Sequence, residues 1–439
     1  MLTAFVRAFR TPDLRKKLLF TLFIIAIYRL GTAVPTPGVD YTKVRDCLSG
    51  ADPQAGFIGL ANLFSGGALL QLSIFALGIM PYITASIIVQ LLTVVIPRFE
   101  ALKKEGQSGQ TKLTQYTRYL TIGLAVLQSS TLITFARNPQ QIFGPSCTSI
   151  LTDDTMPTIV IMVLTLTAGT GLIMWMGELL TDRGIGNGMS VLIFTSIASG
   201  FPGSLWAIQQ KDGRWDVFIG IILLGFVIMA LVIFVEQSQR RVPVQYAKRQ
   251  VGRRMYGGSS TYIPLKVNMA GVIPVIFASS LLSLPALVAQ FNQPQDGSPP
   301  AAWAQWVQDN LTRGDHWIYM LLYVALILFF TFFYVSITFN PTEVADNMKK
   351  YGGFVPGIRP GKPTAEYLDF ILSRITLPGS LYLGIISILP NLFINLVGGQ
   401  KQNFPFGGTA VLIIVGVGLE TVKQIESQLM QRNYEGFLR

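Results

Sequence analysis

The chain has few charged residues and few of the side chains that enzymes use for chemistry. Only 13% of its 439 residues are charged, against about 25% in an ordinary globular protein. It contains one histidine and two cysteines, with no H-E-x-x-H motif, no G-x-S-x-G motif and no pair of His or Cys residues at metal-binding spacing. We therefore expect no enzymatic activity, no metal site and no cofactor.

The chain is rich, instead, in long apolar runs. Half of its residues are hydrophobic, and about 20 helical residues are enough to cross the roughly 30 Å hydrocarbon core of a membrane. Ten runs come close to that length, at approximately 18–35, 69–96, 117–136, 156–177, 188–208, 216–236, 268–290, 317–339, 376–397 and 407–425. The sequence predicts an all-α polytopic membrane protein with ten transmembrane helices, here called spans one to ten.

The basic residues indicate how these spans are oriented. Cytoplasmic segments of membrane proteins are enriched in Lys and Arg, and 26 of the 34 basic residues fall on one side of the membrane if both termini are inside. We therefore predict an N-in, C-in topology. Cys47 and Cys147 then lie in separate outer loops, where they could pair, but cysteines placed in this way are expected to remain unpaired.

A nine-residue pattern occurs twice in the chain. Residues 78–86 and 271–279 both fit G-x-x-P-x-I-x-A-S, and each lies in the second span of a group of five. A weaker match relates residues 188–193 to residues 408–413, in the fifth span of each group. Two matches in the same order indicate an internal repeat.

An odd number of spans in each repeat means that the two halves cross the membrane in opposite directions. The N-terminal half is predicted to comprise residues 1–212 with spans one to five, and the C-terminal half residues 213–439 with spans six to ten. Inverted repeats of this kind usually place a transport path near the midplane between the halves. We therefore expect two inverted five-helix halves around a central pore.

Small polar side chains accompany the repeated Gly and Pro residues in spans two and seven. They are Thr84, Ser86, Gln90, Ser279 and Ser280. Each could line a path or could hold neighbouring helices together; as two matched sets they favour a path. The spans contain almost no ionisable residues, which substrate-specific transporters need near the midplane. The pattern favours an apolar gate for a large and variable cargo over an inverted-repeat secondary transporter, which is the alternative, or a membrane scaffold.

The outer loop before span two contains an apolar stretch that is too short to span. Residues 57–64 are followed by Ser65-Gly66-Gly67, which can stop a helix and act as a hinge. This segment could be an interfacial helix lying on the membrane, or a short helix folded back into the outer mouth of the pore. The second reading makes it a plug hinged on the glycines.

Two predicted cytosolic loops, 236–267 and 340–375, carry many basic residues. The second contains Val-Pro-Gly-Ile-Arg-Pro-Gly, whose prolines and glycines hold a shaped turn and present Arg359 to solvent. A cationic, structured inner face is suited to docking an acidic or RNA-rich partner.

Several long motifs resemble the SecY family, the channel subunits of protein translocases. They are "NLFSGGALLQLSIFALGIMPYITASIIVQLL", "GELLTDRGIGNGMSVLIF", "YAKRQVGRRMYGGSSTYIPLKVNMAGVIPVIFASSLL", "NPTEVADNMKKYGGFVPGIRPG" and "FGGTAVLI". The resemblance covers essentially the whole chain. It implies a protein-conducting channel that translocates unfolded secretory polypeptides and releases transmembrane segments into lipid through a lateral gate between spans two and seven.

The resemblance also implies particular site residues in this sequence. The hydrophobic pore ring would be Ile79, Ile83, Met189, Ile193, Ile276 and Ile413, with Met189 departing from the family's usual branched aliphatic. The plug, at about residues 57–67, would include Phe57, Ile58, Leu60, Leu63, Phe64, Ser65, Gly66 and Gly67. The lateral gate would include Pro81, Thr84, Ser86, Gln90, Pro274, Ser279 and Ser280. Docking of the motor or the ribosome would use Arg240, Lys248, Arg249, Arg253, Arg254 and Arg359.

The partners that the resemblance implies are the subunits SecE and SecG, the ATP-driven motor SecA and the translating ribosome. Signal sequences, nascent polypeptides and membrane lipid would contact the channel during its work. The expected location is the inner (plasma) membrane of the cell, with the thylakoid membrane as the alternative.

Overall fold

The fold was analysed in a computed structural model of the whole chain. The structure describes residues 9, 11–50, 65–137, 139, 147, 150–212, 215–246, 249–251, 254–256, 260–291, 301–312, 316–397 and 408–435. All structural statements below concern these residues.

The described part of the chain is mainly helical. Its α-helices are α1 (Pro12–Ala33), α2 (Tyr41–Gly50), α3 (Met80–Val95), α4 (Pro97–Lys104), α5 (Gln107–Arg137), α6 (Met156–Arg183), α7 (Gly188–Asp212), α8 (Trp215–Gln237), α9 (Ile273–Phe291), α10 (Ala302–Val307), α11 (Trp317–Thr338), α12 (Pro341–Lys350), α13 (Lys362–Val397) and α14 (Gly408–Glu435), with a π-helical turn at Gln308–Thr312. Its strands are β1 (Gln239–Tyr246), β2 (Arg249–Val251), β3 (Arg254–Tyr256), β4 (Ser260–Lys266) and β5 (Gly353–Phe354).

Among the described residues, three helical segments are long enough and apolar enough, by length and composition, to cross a membrane. They are Met156–Arg183, Trp317–Lys350 and Lys362–Leu389. A fourth candidate is the pair α3 and α4, which is bent by 99° at Ile96. The helices α1, α3, α5, α6, α7, α8, α9, α11, α13 and α14 overlap the ten apolar runs in order, but a count of ten spans remains a prediction.

The helices pack in two comparable groups. In the first group α3 packs on α5 and α5 packs on α6; in the second α9 packs on α11 and α11 packs on α13. The two groups meet where α3 contacts α9 and where α7 contacts α14. One apolar cluster is built mainly from α8, α9, α11, α13 and α14, and another joins α1, α6 and α7 to Ile276 of α9 and to Ala410 and Ile413 of α14.

Span two is shorter than its apolar run predicts. The run starts at residue 69, but the helix starts at Met80, and residues 66–79 are mostly turns. Gly66, Gly67 and Gly78 have left-handed φ values of 67°, 91° and 56°, a region that glycine enters without steric cost. Hydropathy alone could not reveal this, because an irregular apolar segment has the same composition as a helix.

The described residues of the predicted loop 236–267 include four β-strands, β1 to β4, so the all-α prediction is wrong for this part of the chain. Strand β1 pairs antiparallel with β4 and with β5, giving the sheet order β4–β1–β5. Val242 and Val244 are buried while their neighbours are exposed, which is the alternation expected of a half-buried strand. That signal was present in the sequence but was masked by the basic residues around it.

Cys47 and Cys147 form a disulfide, so the expectation that they remain unpaired is wrong. The main chains of residues 38–40 and 150–152 run antiparallel beside them: Asp40 N–H donates to the Ile150 carbonyl (3.0 Å), and Thr152 N–H donates to the Gly38 carbonyl (2.9 Å). This pairing brings the two cysteine Cα atoms within 5.5 Å. The cysteines are 100 residues apart in sequence, so their proximity depends on tertiary structure.

Candidate functional site

The six residues predicted to form the pore ring belong to one apolar cluster. Ile79, Ile193, Ile276 and Ile413 are at most 8% exposed, and Ile83 and Met189 pack against them. These residues come from the start of α3 and from α7, α9 and α14, so both sequence halves contribute. The cluster contains no charged side chain among the residues described, and it can therefore exclude water by close apolar contact.

The helices α3 and α9 meet along an apolar seam. Ile87 of α3 lies in one cluster with Val275, Ala278 and Leu282 of α9, and Leu91 packs against that cluster. This seam is the contact through which the two groups of helices could separate. The sequence did not single out the aliphatic residues of this seam, because aliphatic residues occur along every span.

Two of the polar residues assigned to the gate, Thr84 and Ser279, bond to their own helices. The Thr84 hydroxyl donates to the Met80 carbonyl (2.9 Å), and the Ser279 hydroxyl donates to the Ile276 carbonyl (2.9 Å). Of the other gate residues, Pro81 and Pro274 are buried, Ser86 and Ser280 are half-buried and Gln90 is exposed. The hydroxyls of Thr84 and Ser279 therefore present little polarity to the seam.

Residues 65–67, predicted as the hinge of the plug, contact helices α1 and α7. The Arg29 guanidinium donates to the Gly66 carbonyl (2.8 Å), and a Cβ on Gly66 would be 3.2 Å from the Cα of Ser196. The hydroxyl groups of Tyr28 and Ser196 are hydrogen-bonded at 2.6 Å. Arg29, a charged residue within the apolar run 18–35, thus has a definite partner. The plug residues Phe57, Ile58, Leu60, Leu63 and Phe64 lie outside the described residues.

An ion pair that the sequence did not predict joins α5 to α6 close to α3. The Arg118 guanidinium donates to both carboxylate oxygens of Glu178, from Nε at 2.8 Å and from Nη2 at 2.6 Å. Two-point contacts of this kind fix orientation as well as distance. Tyr82 of α3 lies close enough to interact electrostatically with both partners. The pair therefore holds together the two helices against which α3 rests.

The two basic inner loops share one hydrophobic core. Val242 and Leu265 of the hairpin are buried together with Met348, Val355 and Leu368 of the other loop and its flanking helices. Strand β5 adds main-chain pairing between the loops, with Gln245 opposite Phe354. The two loops therefore form one folded unit, here called the inner module, although the sequence predicts two separate loops.

The inner module presents Arg359 on a shaped turn. Gly357 and Gly361 flank the turn with left-handed φ values of 83° and 105°, and the Thr364 hydroxyl donates to the Arg359 carbonyl (2.8 Å). The Arg359 side chain is exposed. Arg240 is exposed on β1, and Arg249 and Arg254 lie on the small β2–β3 hairpin. Lys248 and Arg253 lie outside the described residues.

The face that the sequence predicts to be outside carries the disulfide and a capped helix. Asp40 begins α2, and its carboxylate accepts hydrogen bonds from the Thr42 hydroxyl (2.6 Å) and the Thr42 N–H (3.1 Å). The bond from the Thr42 hydroxyl is the main reason that the pKa of Asp40 is lowered from its usual value. No group of three or more His, Cys, Asp or Glu residues that could hold a metal ion occurs in the described part of the chain.

A family model of SecY matches residues 73–422. "Protein translocase subunit SecY" of Streptomyces griseus is 66% identical to this chain over 444 residues, and "Protein translocase subunit SecY" of Mycobacterium bovis is 59% identical over 443 residues. In both comparisons the match covers 100% of each chain.

Solved structures with the same fold include several channels. The structure described as "a protein conducting channel" has a TM-score of 0.63 at 16% identity, with 94% of this chain and 92% of the other covered. A structure concerning the plug domain of a SecY protein has a TM-score of 0.60 at 17% identity, and Sec61 in a canine ribosome–channel complex has a TM-score of 0.59 at 16% identity. Both cover 94% of this chain and 92% of the other.

Proposed function

This chain belongs to the SecY family, and from that membership we propose how its pore, gate and inner module operate. Members of the family are the channel subunits of the protein translocase, and this chain is a membrane-embedded, protein-conducting channel rather than an enzyme. The proposals below concern which residues carry out that function.

We propose that the six-residue apolar cluster is the seal of the resting pore. The observation that carries this proposal is that residues far apart in sequence, including Ile79, Ile193, Ile276 and Ile413, pack in one cluster between both halves of the chain. An aliphatic constriction excludes water and ions but makes no specific contacts with a passing peptide. Met189 adds a flexible side chain that can adapt to different shapes.

We propose that a lateral gate opens along the α3–α9 seam and that residues 57–67 form the plug of the outer mouth. The seam is supported by the apolar contacts of Ile87 with α9. The plug is supported by the fixed position of Gly66 beside α1 and α7. Two inverted five-helix halves, residues 1–212 and 213–439, would then separate along this seam to release a hydrophobic segment into lipid.

We propose that the inner module docks the ribosome and the ATP-driven motor SecA, with Arg359 and the basic hairpin as contacts. One solved structure of the same fold is Sec61 in a ribosome–channel complex, which supports a ribosome-facing role. SecE and SecG are the proposed membrane partners. An inner-membrane location with both termini in the cytosol fits the distribution of basic residues.

Cross-linking of an arrested secretory chain tests the pore assignment. Because the native cysteines are joined in a disulfide, a cysteine introduced at Ile83, Ile193 or Ile276 would be the only free thiol in the channel. With a cysteine also placed in the arrested chain, we expect oxidant-dependent cross-links at these positions. The matched controls are cysteines at Leu127 and Phe234, which are 67% and 73% exposed on the outside of the helices. Equal cross-linking at ring and control positions would rule out this pore.

A further inference from the structure

The two helices of the proposed gate, α3 and α9, each begin after a turn of the same backbone conformation. Gly78 and Gly271 have left-handed φ values of 56° and 62°, and the helices α3 and α9 start two residues later, at Met80 and Ile273. These glycines are the first residues of the repeated nine-residue pattern. The repeat therefore marks an equivalent change of chain direction in each half.

The match continues upstream, into residues that the sequence repeat does not cover. Four residues before each glycine, the N–H of Ile74 donates to the Val34 carbonyl and the N–H of Val267 donates to the Ser238 carbonyl, both at 3.0 Å. Val34 and Ser238 are the residues that directly follow α1 and α8. The next pairs outward also correspond: Pro35 lies opposite Ser73, and Gln239 lies opposite Lys266.

The carbonyl groups of Ile74 and Val267 each pack directly against a glycine of a neighbouring helix. A Cβ added to Gly169 of α6 would overlap the Ile74 carbonyl oxygen, and a Cβ added to Gly379 of α13 would overlap the Val267 carbonyl oxygen. The helices α6 and α13 lie in spans four and nine, which are equivalent in an inverted five-plus-five repeat. Only a residue without a side chain allows this approach in the observed arrangement.

The side chain three residues before each turn glycine is also anchored on the first span of its own half. The Phe75 ring stacks on the Tyr28 ring of α1 with centroids 5.8 Å apart. The Asn268 amide donates to the Glu236 carboxylate of α8 (2.6 Å) and to the Gly271 carbonyl (3.1 Å). Phe75 and Asn268 are each 3% exposed. The chemistry of the two anchors differs, but their positions correspond.

We propose that these two structures are matched pivots for the gate helices, and that Gly169 and Gly379 are the positioning residues that seat them. The chain before each turn glycine is fixed to its own half by three contacts. A main-chain N–H is hydrogen-bonded to the residue after the first helix of that half, the carbonyl of the same residue lies against Gly169 or Gly379, and the next side chain is anchored on that first helix. The helix after the glycine is joined to that fixed point through a residue with free backbone geometry. Each gate helix can therefore swing about its first turn while the base stays in place. This inference rests on the proposed gate between α3 and α9.

Adding a methyl group at Gly169 or Gly379, here called the seat glycines, tests the proposal. Gly169→Ala and Gly379→Ala should displace the pivot carbonyls and weaken closure, so resting ion conductance in planar bilayers and export of a protein with a defective signal sequence should both rise several-fold. The matched controls are Gly171→Ala on the same helix as Gly169, and Gly418→Ala on α14, where a Cβ meets nothing within 4 Å. These controls should behave like the parent channel. Seat variants that fold normally and match the controls would overturn the proposal.

A second pair of variants decides the matter if the seat variants do not accumulate as folded protein. Gly271 has open space around its Cβ position but a left-handed backbone, which Asn tolerates better than Ala. Gly271→Ala should therefore leak and export defective substrates, whereas Gly271→Asn should remain close to the parent. Because the strained Ala also lowers the stability of the folded channel, thermal unfolding of both variants is measured alongside, and conductance and export are compared at equal amounts of folded channel and at a temperature where both variants are fully folded. Identical behaviour of the two variants would contradict a pivot at this glycine.

The same vesicles separate a failure of the pivots from a failure of the proposed pore. The parent channel is tested for cross-linking of an arrested chain to a cysteine at Ile276. If the parent cross-links there but the seat variants and Gly271→Ala match their controls, the pivots alone are wrong. If the parent does not cross-link there, the pore assignment on which the pivots rest is wrong.

Discussion

At the scale of single residues, Ile276 offers a direct test of the apolar seal. It is 8% exposed in the cluster that joins both halves, and an unpaired amide buried there costs about 1–3 kcal/mol. Ile276→Asn should therefore favour a hydrated, partly open constriction. We expect higher resting conductance and increased export of proteins with defective signal sequences. Val288→Asn on the same helix is the control, because Val288 is 57% exposed; equal effects at the two positions would contradict the seal.

Arg359 tests whether shape or bulk charge matters on the inner face. The turn around it is held by left-handed glycines and by the Thr364 hydroxyl, and a guanidinium offers a planar fork of donors that an ammonium cannot copy. We expect Arg359→Glu to nearly abolish ATP-driven export and Arg359→Lys to weaken it in part. The control Lys362→Glu should be mild, since that side chain is 88% exposed and lies 4.0 Å from Glu366.

A side-by-side assay of export and of ribosome-driven membrane insertion in vesicles measures these effects. Insertion should suffer less, because Arg240 and the β2–β3 hairpin offer further basic contacts. Equal losses on both routes, or equal effects of Arg359→Glu and Lys362→Glu, would reduce Arg359 to one of many inner positive charges.

Individual site residues could be predicted where a repeat or a family motif marked them, and not elsewhere. Ile83 and Ile276 occupy the same place in the repeated pattern, and they do pack in one cluster. The bond from Arg29 to Gly66 and the ion pair of Arg118 with Glu178 had no such marker. Their partners are distant in sequence, and a contact of that kind depends on how the helices pack.

At the scale of elements, the disulfide should stabilise the packing of α2 against the segment that contains Cys147. It closes a long loop, with a sequence separation of 100, and disulfides typically contribute about 2–4 kcal/mol. We expect the double variant Cys47→Ser, Cys147→Ser to unfold several degrees below the parent in detergent. Reductant should lower the Tm of the parent to that of the double variant and leave the double variant unchanged. Equal Tm values for the parent and the double variant would show that the disulfide adds nothing to the thermal stability of the channel.

Element boundaries were predictable for helices with uniform apolar composition and failed where the backbone breaks. Composition marks α6 and α11 well, since each contains an apolar stretch long enough to cross a membrane. It could not reveal that α3 begins only at Met80, because the preceding turns are equally apolar. The hairpin β1–β4 was missed for the opposite reason: Val242 and Val244 alternate correctly, but basic residues dominate that segment.

At the scale of the whole molecule, apolar contacts join the two halves to each other and join the inner module to the C-terminal half. The membrane-embedded contacts between them are apolar, through the ring cluster and the α3–α9 seam. The inner module is held to the C-terminal half by its own core, through residues such as Leu368 and Ile371 of α13. The module therefore packs on α13, and the Val267 carbonyl at the base of α9 lies against Gly379 of that helix.

Orientation in the membrane is a property of the whole chain that its sequence predicts. The prediction rests on the clustering of basic residues on one side. The disulfide is consistent with it, because disulfides persist in oxidising surroundings, and both cysteines fall on the predicted outer side. The exposed positions Asp153 and Glu366 lie on opposite predicted faces, and each can carry the only free thiol in the chain.

A membrane-impermeant thiol reagent applied to sealed, right-side-out vesicles then reads the orientation. We expect Asp153→Cys to be labelled in intact vesicles, and Glu366→Cys to be labelled only after the membrane is permeabilised. Labelling of both after permeabilisation shows that each thiol is reactive. Reversed labelling would place the inner module outside the cell, where neither a ribosome nor an ATP-driven motor could reach it, and would overturn the docking proposal together with the topology.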